Sequence, residues 1–284
     1  MIKRILSVGL ILMMGLFSLI GCGGGQETAV EDDAPEEILS GKIIIAGSTS
    51  VQPLSEEIAS AFMNKYPEVS VEVQGGGSSV GVKSAANKVA DIGAASREIK
   101  ESEKSYGLDE YVIAKDGIAV IVNLGCGVDN LNMEQIKRIF IGEITNWNTV
   151  GGSDADIIVV SREEGSGTRG AFVEITGAEG DEGDMTTANA LVQPSTGAVK
   201  QTVANTPDSI GYISLGALDD TVKSLKVEGV ESTNENILNN SYKIARPFNY
   251  LTNGEISEVV QTYIDFVFSA EGQEIVAKEF IPVK

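Results

Sequence analysis

The chain has 284 residues, 42% of them hydrophobic, and a formal net charge of −20. So acidic a surface repels phosphate backbones and no basic run interrupts it, which excludes nucleic acid as a partner. Histidine is absent, and with it go Ser-His-Asp triads, His-Glu-x-x-His zinc sites and imidazole proton shuttles; no metal and no cofactor is expected.

Lys3 and Arg4 precede an apolar run over residues 5–20, followed by Gly21 and Cys22. The run is short for a spanning helix and a small residue stands before Cys22, so residues 1–21 read as an export signal peptide. "LIGC" at 19–22 resembles the lipobox of bacterial lipoproteins, which implies a lipid on Cys22 and Cys22 as the mature N-terminus. An uncleaved anchor helix is the alternative. Both put the globular part outside the cytoplasmic membrane, and loss of Lys3 and Arg4 with the signal takes the net charge from −20 to −22. Residues 22–39, rich in glycine and acids (Glu27, Glu31, Asp32, Asp33, Glu36, Glu37), form a flexible acidic tether. With Cys22 taken, Cys126 has no disulfide partner and reads as a small buried apolar residue.

Beyond the tether, strand-like runs alternate with helical ones. "KIIIAGSTSVQPL" gives a strand at 43–46, a turn through Ser48, Thr49 and Ser50, and a helix with Pro53 in its first turn. "VSVEVQGGGSSVGVK" alternates Val69, Val71 and Val73, turns on three glycines, and opens a helix at Ser78-Ser79. "DIGAASRE" ends a shorter strand at Ser96-Arg97, before the polar turn "SREIKESEKSY". Residues 117–123 are a strand, followed by a helix and a turn around Trp147. "IIVVSREEGSGTRG" places Arg162 at a strand end and Ser166, Gly167 and Thr168 where the next helix begins. "TPDSIGYISLGAL" carries another short strand, and the apolar positions from Ile256 to Phe268 recur at helical spacing, with their aromatics in the core.

Strands alternating with helices imply an α/β protein with a largely parallel sheet, whose ligands lie at the carboxyl ends of the strands. All four Ser/Thr-bearing turns are strand-to-helix turns, so all four can face one crevice. Free N–H groups at a helix start, the positive end of its dipole and neighbouring hydroxyls together suit an oxyanion. Ordinary helix capping is the competing explanation for any one of them. Three carry glycine beside the hydroxyl, which capping alone does not require. Arg162 can grip two oxygens of a tetrahedral anion with its planar fork, or pair with Glu163 or Glu164, or both. Arg97 is a weaker second cation.

An enzyme is the other class to weigh. Gly165–Gly170 reads as G-x-G-x-x-G, so a dinucleotide-dependent enzyme is conceivable, but the fingerprint wants an acid at the end of a strand about twenty residues on. Here "GAEGDEGDMTTANA" reads as a polar turn without a strand. No Gly-Lys-Ser/Thr serves a nucleotide, and Ser166 has neither a histidine nor a Ser-x-x-Lys base.

"GSTSVQPL", "QGGGSSVGVK", "DIGAASRE", "SREEGSGTR" and "TPDSIGYISL", in this order behind a lipobox, resemble the phosphate-binding lipoproteins of bacterial phosphate ABC importers. The similarity covers nearly the whole chain after the tether. It implies a two-lobed periplasmic-binding-protein fold of the second class, crossed twice by the chain, with one inorganic phosphate in the interlobe cleft. One lobe would be residues 40–116 plus 246–284 and the other 117–245. By motif position, Thr49, Ser50, Ser78, Arg162, Ser166, Gly167 and Thr168 would hold the phosphate, with Ser96 where the family places an aspartate that accepts the proton of hydrogen phosphate. A serine there weakens rejection of sulfate unless Glu163 or Glu164 supplies the acceptor. Other tetrahedral oxyanions (sulfate, molybdate, tungstate) are the alternative ligands. The implied partners are the permease and ATPase subunits of an ABC importer and, through the lipid, the membrane; the implied state is a monomer without enzymatic activity.

Overall fold

In the computed structural model, which describes residues 38–181 and 183–283, the β-branched runs become nine strands of one sheet. They are β1 (Gly41–Gly47), β2 (Val69–Gly75), β3 (Ile92–Ala95), β4 (Asp109–Val122), β5 (Ile158–Arg162), β6 (Leu191–Gln193), β7 (Ser209–Ser214), β8 (Lys223–Ser224) and β9 (Ala245–Thr252). The signal peptide, Cys22 and the tether up to residue 37 lie outside the described residues. Among the described residues eight α-helices accompany the strands: α1 (Gln52–Lys65), α2 (Ser78–Ala86), α3 (Met133–Phe140), α4 (Gly167–Thr176), α5 (Thr196–Asn205), α6 (Asn234–Leu238), α7 (Glu258–Val267) and α8 (Ala270–Val276).

The strand order is β2-β1-β3-β9-β4-β7-β5-β6, with β8 on β4. Each end of the sheet is parallel, β2-β1-β3 at one and β7-β5-β6 at the other. Between them β9 runs antiparallel to both β3 and β4, and β4 antiparallel to β7. β4 serves both ends: Asp109 to Gly117 pair with β9, and Ile118 to Val122 pair with β7.

The apolar core divides in the same way. One cluster joins Ile43, Ile45, Leu54, Phe62 and Ile113 to Phe248, Tyr250, Tyr263 and Phe266, residues more than 130 positions apart in the chain. Another gathers Ile118, Val120, Phe140, Trp147, Phe172, Tyr212 and Ile244, including Cys126, which is buried and free. In it Phe172 stacks on Tyr212 with ring centroids 4.1 Å apart. Aromatic pairs of this kind contribute roughly 0.5–1.5 kcal/mol beyond their burial.

Three local expectations change. The strand expected at 117–123 is the second half of β4, because Lys115 and Asp116 disguise an extended run that starts at Asp109. The helix expected from Ile256 to Phe268 is followed by a separate one, α8, whose N-cap Ser269 accepts from Gly272 N–H at 3.1 Å. Residues 177–190, expected to hold no strand, contain the ribbon Glu179–Gly180 against Gly183–Asp184, and β6 follows directly after them. β6 ends in Gln193 rather than an acid, so the dinucleotide fingerprint remains incomplete.

Candidate functional site

Five strand-to-helix turns point their hydroxyls at one place. Ser50 Oγ lies 2.8 Å from both Thr168 Oγ1 and Thr196 Oγ1, so the turn after β1 meets the starts of α4 and α5. Thr49 Oγ1 accepts from Arg162 Nη2 at 3.1 Å and from the backbone N–H of Thr196 at 3.3 Å. Ser48 Oγ donates to Ser96 Oγ at 2.8 Å, and Ser78 Oγ accepts from Ser96 N–H at 2.9 Å. Ser50, Ser78, Ser96, Arg162, Thr168 and Thr196 are each at least 96% buried.

The turns can come this close because two glycines have no side chain. A Cβ on Gly167 would sit 2.6 Å from Ser96 Oγ and closer still to Ser78 Oγ. Gly77, the residue before α2, has φ 85°, a left-handed conformation that glycine adopts without strain. Between them the backbone N–H of Ser79 donates to Gly165 O at 3.0 Å, joining the α2 and α4 turns directly.

Capping explains only some of these residues. Ser166 is the N-cap of α4, its Oγ accepting from Arg169 N–H at 3.3 Å, and it lines a separate cavity of about 540 Å³ with Ser79, Arg97 and Arg169. The residues before α1 and α2 make no side-chain cap at all. The hydroxyls of Thr49 and Ser50 therefore turn to Arg162, Thr168 and Thr196, and that of Ser78 to Ser96.

Arg162 is 1% exposed. Its Nε and Nη2 donate to the two oxygens of Glu163, both at 2.8 Å, so the pairing with a neighbouring acid holds. The other edge stays directed at the cluster, with Nη1 donating to Thr196 Oγ1 at 3.2 Å and Nη2 to Thr49. Glu164 is exposed. Arg97 stands apart: Nη1 and Nη2 donate to the Glu103 carboxylate at 2.7 and 2.8 Å, and Nη2 reaches only Ser79. Burial alone would raise Glu103, but the bonds from Arg97 and Lys100 outweigh it and hold its carboxyl below the ordinary value.

Three members of the cluster stand outside the expected phosphate-binding set. Ser48 lies in the first turn, where residue type alone does not separate it from Thr49 and Ser50. Thr196 opens α5 in "PSTGAVK", a fifth turn of the same kind hidden by a strand only three residues long. Arg246, on β9, carries no local signal. Its Nε and Nη2 donate to Asp116 Oδ2 at 3.2 and 3.0 Å, and its Nη1 to Ser96 O and Ser96 Oγ at 3.0 and 3.2 Å. Both partners of this pair are essentially inaccessible. Burial lowers the Arg246 guanidinium pKa and raises that of the Asp116 carboxyl, and the attraction between them opposes both shifts.

The cluster is rich in donors: rotatable hydroxyls, helix-start N–H groups and one guanidinium edge. Its carboxylates, Glu163 and Asp116, are each held by an arginine. Donors converging on one buried place, with the carboxylates already paired, suit the binding of an oxyanion.

Residues 32–271 match the model of the PBP superfamily domain. The chain is 33% identical over 286 residues to the phosphate-binding protein PstS of Bacillus subtilis, covering 96% of this chain and 93% of that one. A crystal structure with bound phosphate from Clostridium perfringens, described as a candidate phosphate ABC transporter substrate-binding protein, superposes with a TM-score of 0.83. It is 48% identical, over 86% of this chain and all of the other. An ABC-type phosphate transport receptor from Vibrio cholerae gives a TM-score of 0.72 at 36% identity, covering 84% and 99% of the two chains. The fold is thus the two-lobed one that the sequence motifs implied.

Proposed function

Because the chain belongs to the PBP superfamily, and within it to the PstS family, we propose that it is an extracytoplasmic receptor that binds inorganic phosphate and delivers it to an ABC permease without chemical change. One observation carries this reading: Thr49, Ser50, Ser78 and Ser96 from one side and Arg162, Thr168 and Thr196 from the other converge in a buried cluster of donors. Hydrogen bonds to a charged group contribute roughly 1.5–3 kcal/mol each, so a few of them from a preorganised, desolvated site give strong binding despite an acidic surface.

In this reading Thr49, Ser50, Ser78, Ser96, Arg162, Gly167, Thr168 and Thr196 surround the phosphate, and Ser166 assists through the start of α4. The lobes are residues 40–116 with 246–284, and 117–245, a division that the two main apolar clusters follow except at Ile281. Cys22 carries the lipid that keeps a monomeric receptor near its permease. Among the described residues no helix is long and apolar enough to cross a membrane.

Calorimetric titration with phosphate, on protein unfolded and refolded to strip bound ligand, tests the assignment. Tight one-to-one binding is the expected result. Silence with phosphate and a strong signal with a sugar, peptide or amino acid would end it. Mass spectrometry of membrane-extracted protein tests the anchor, which an unmodified Cys22 in the mature chain removes.

A further inference from the structure

Ser96 is buried where the side chains of Ser48, Ser78 and Arg246 meet, and these surroundings determine what its hydroxyl can do. A serine hydroxyl has one proton to donate and two lone pairs to accept with. Both lone pairs of Ser96 Oγ are taken, since Ser48 Oγ donates to it at 2.8 Å and Arg246 Nη1 at 3.2 Å, and its own proton is left for an acceptor, which here is Ser78 Oγ at 3.3 Å. Neither donor is free to turn away. Ser48 Oγ accepts from Ser50 N–H at 3.2 Å, which orients it. Arg246 is held by Asp116 through Nε and Nη2, while Asp116 Oδ1 accepts from Ser214 Oγ at 2.9 Å. All six side chains are at least 97% buried, so no solvent competes.

Resting on the receptor reading above, we propose that Arg246, clamped by Asp116, and Ser48 are positioning residues that commit Ser96 to donate. Ser96 then offers its proton to a bare oxygen of the anion and cannot accept the proton of hydrogen phosphate. The consequence is a site that admits a tetrahedral dianion by charge and shape and discriminates weakly between phosphate and sulfate. The pair lies on β4 and β9, the two strands shared by the ends of the sheet, so the device belongs to the framework rather than to a mobile loop.

The experiment measures affinities for inorganic phosphate and for sulfate by calorimetry at about pH 8, where both are dianions and a change in nearby charge affects them alike. Three proteins are compared: the parent, Ser48→Ala, and the double variant Asp116→Asn/Arg246→Met, which replaces the ion pair with a neutral one. Each variant frees a lone pair on Ser96, so the ratio of phosphate to sulfate affinity should rise about three- to tenfold, the span of one net hydrogen bond. In a Ser96→Ala background the same substitutions should leave the ratio unmoved. A merely structural role would weaken both anions together at a constant ratio, and that result overturns the proposal; so does a parent that binds phosphate and ignores a large excess of sulfate. Ser48→Ala leaves the ion pair intact and decides the matter alone if the double variant does not fold. A parent that gives no heat with phosphate ends the receptor reading itself, whereas phosphate binding with an unmoved ratio ends only the positioning of Ser96.

Discussion

Arg162 pairs with the residue next to it in sequence, whereas Arg246 pairs with one 130 positions away. Both guanidiniums are buried, yet the Glu163 side chain keeps 28% of its exposure and that of Asp116 keeps none. Glu163 orients Arg162 by one edge and leaves the other for the cleft. Asp116 and Ser96 between them occupy Arg246, which ties two strands and a site turn together. The difference teaches that burial and an acidic partner do not by themselves identify a ligand-binding arginine; what matters is which N–H groups remain directed at the crevice.

The comparison can be broken most severely at Asp116. Asp116→Ala leaves Arg246 buried with its charge unmatched, and should cost about 3–5 kcal/mol of folding stability. Glu163→Ala, whose carboxylate reaches water, should cost much less. Denaturant unfolding of the two variants measures this, and equal losses would erase the distinction. Next in size, Arg162→Ala should weaken phosphate binding by roughly 1.5–3 kcal/mol, about ten- to a hundredfold, with little effect on stability. A twofold change alongside a large loss of stability would make Arg162 the strut instead.

A third guanidinium sharpens the contrast through pH. Glu103 is held below its ordinary pKa in the folded state. The stability it contributes is therefore complete above the ordinary value and is lost as pH falls through the lower, folded one. Thermal denaturation between about pH 3 and pH 6 should show the parent losing stability below about pH 4 more steeply than Glu103→Gln. Parallel profiles would mean that the Arg97 clamp adds nothing. The smallest expected effects are on single hydroxyls: Ser50→Ala and Thr196→Ala should each weaken phosphate by about 1.5 kcal/mol, the low end for a hydrogen bond to a charged group. Thr196→Ala is the more telling of the two, since no change at all would take α5 out of the site.

Much of this was legible because the relevant signals are local. Glycine and hydroxyl residues between a β-branched run and a helical stripe mark a turn wherever they occur, so Thr49, Ser50, Ser78, Ser96 and Thr168 could be found one turn at a time. Thr196 has the same local chemistry but follows a strand too short to register. Arg246 and Asp116 were invisible as a pair, since their bond depends on β9 lying beside β4, a register that no window of sequence contains. The capping role of Ser166 was likewise undecidable, because a cap and a ligand contact use the same residue types at the same position.

The place of β9 in the sheet has a consequence for how the chain acquires its shape. β9 lies between β3 and β4, and the residues it separates, Ile92–Ala95 and Asp109–Val122, are made long before Ala245–Thr252. The β2-β1-β3 end of the sheet therefore cannot join β4, or bury Phe248 and Tyr250 in its core, until the intervening residues have been made and the chain has returned. Contacts of such long sequence separation form late and slowly. The strand that makes this junction is among the last parts of the chain to be made.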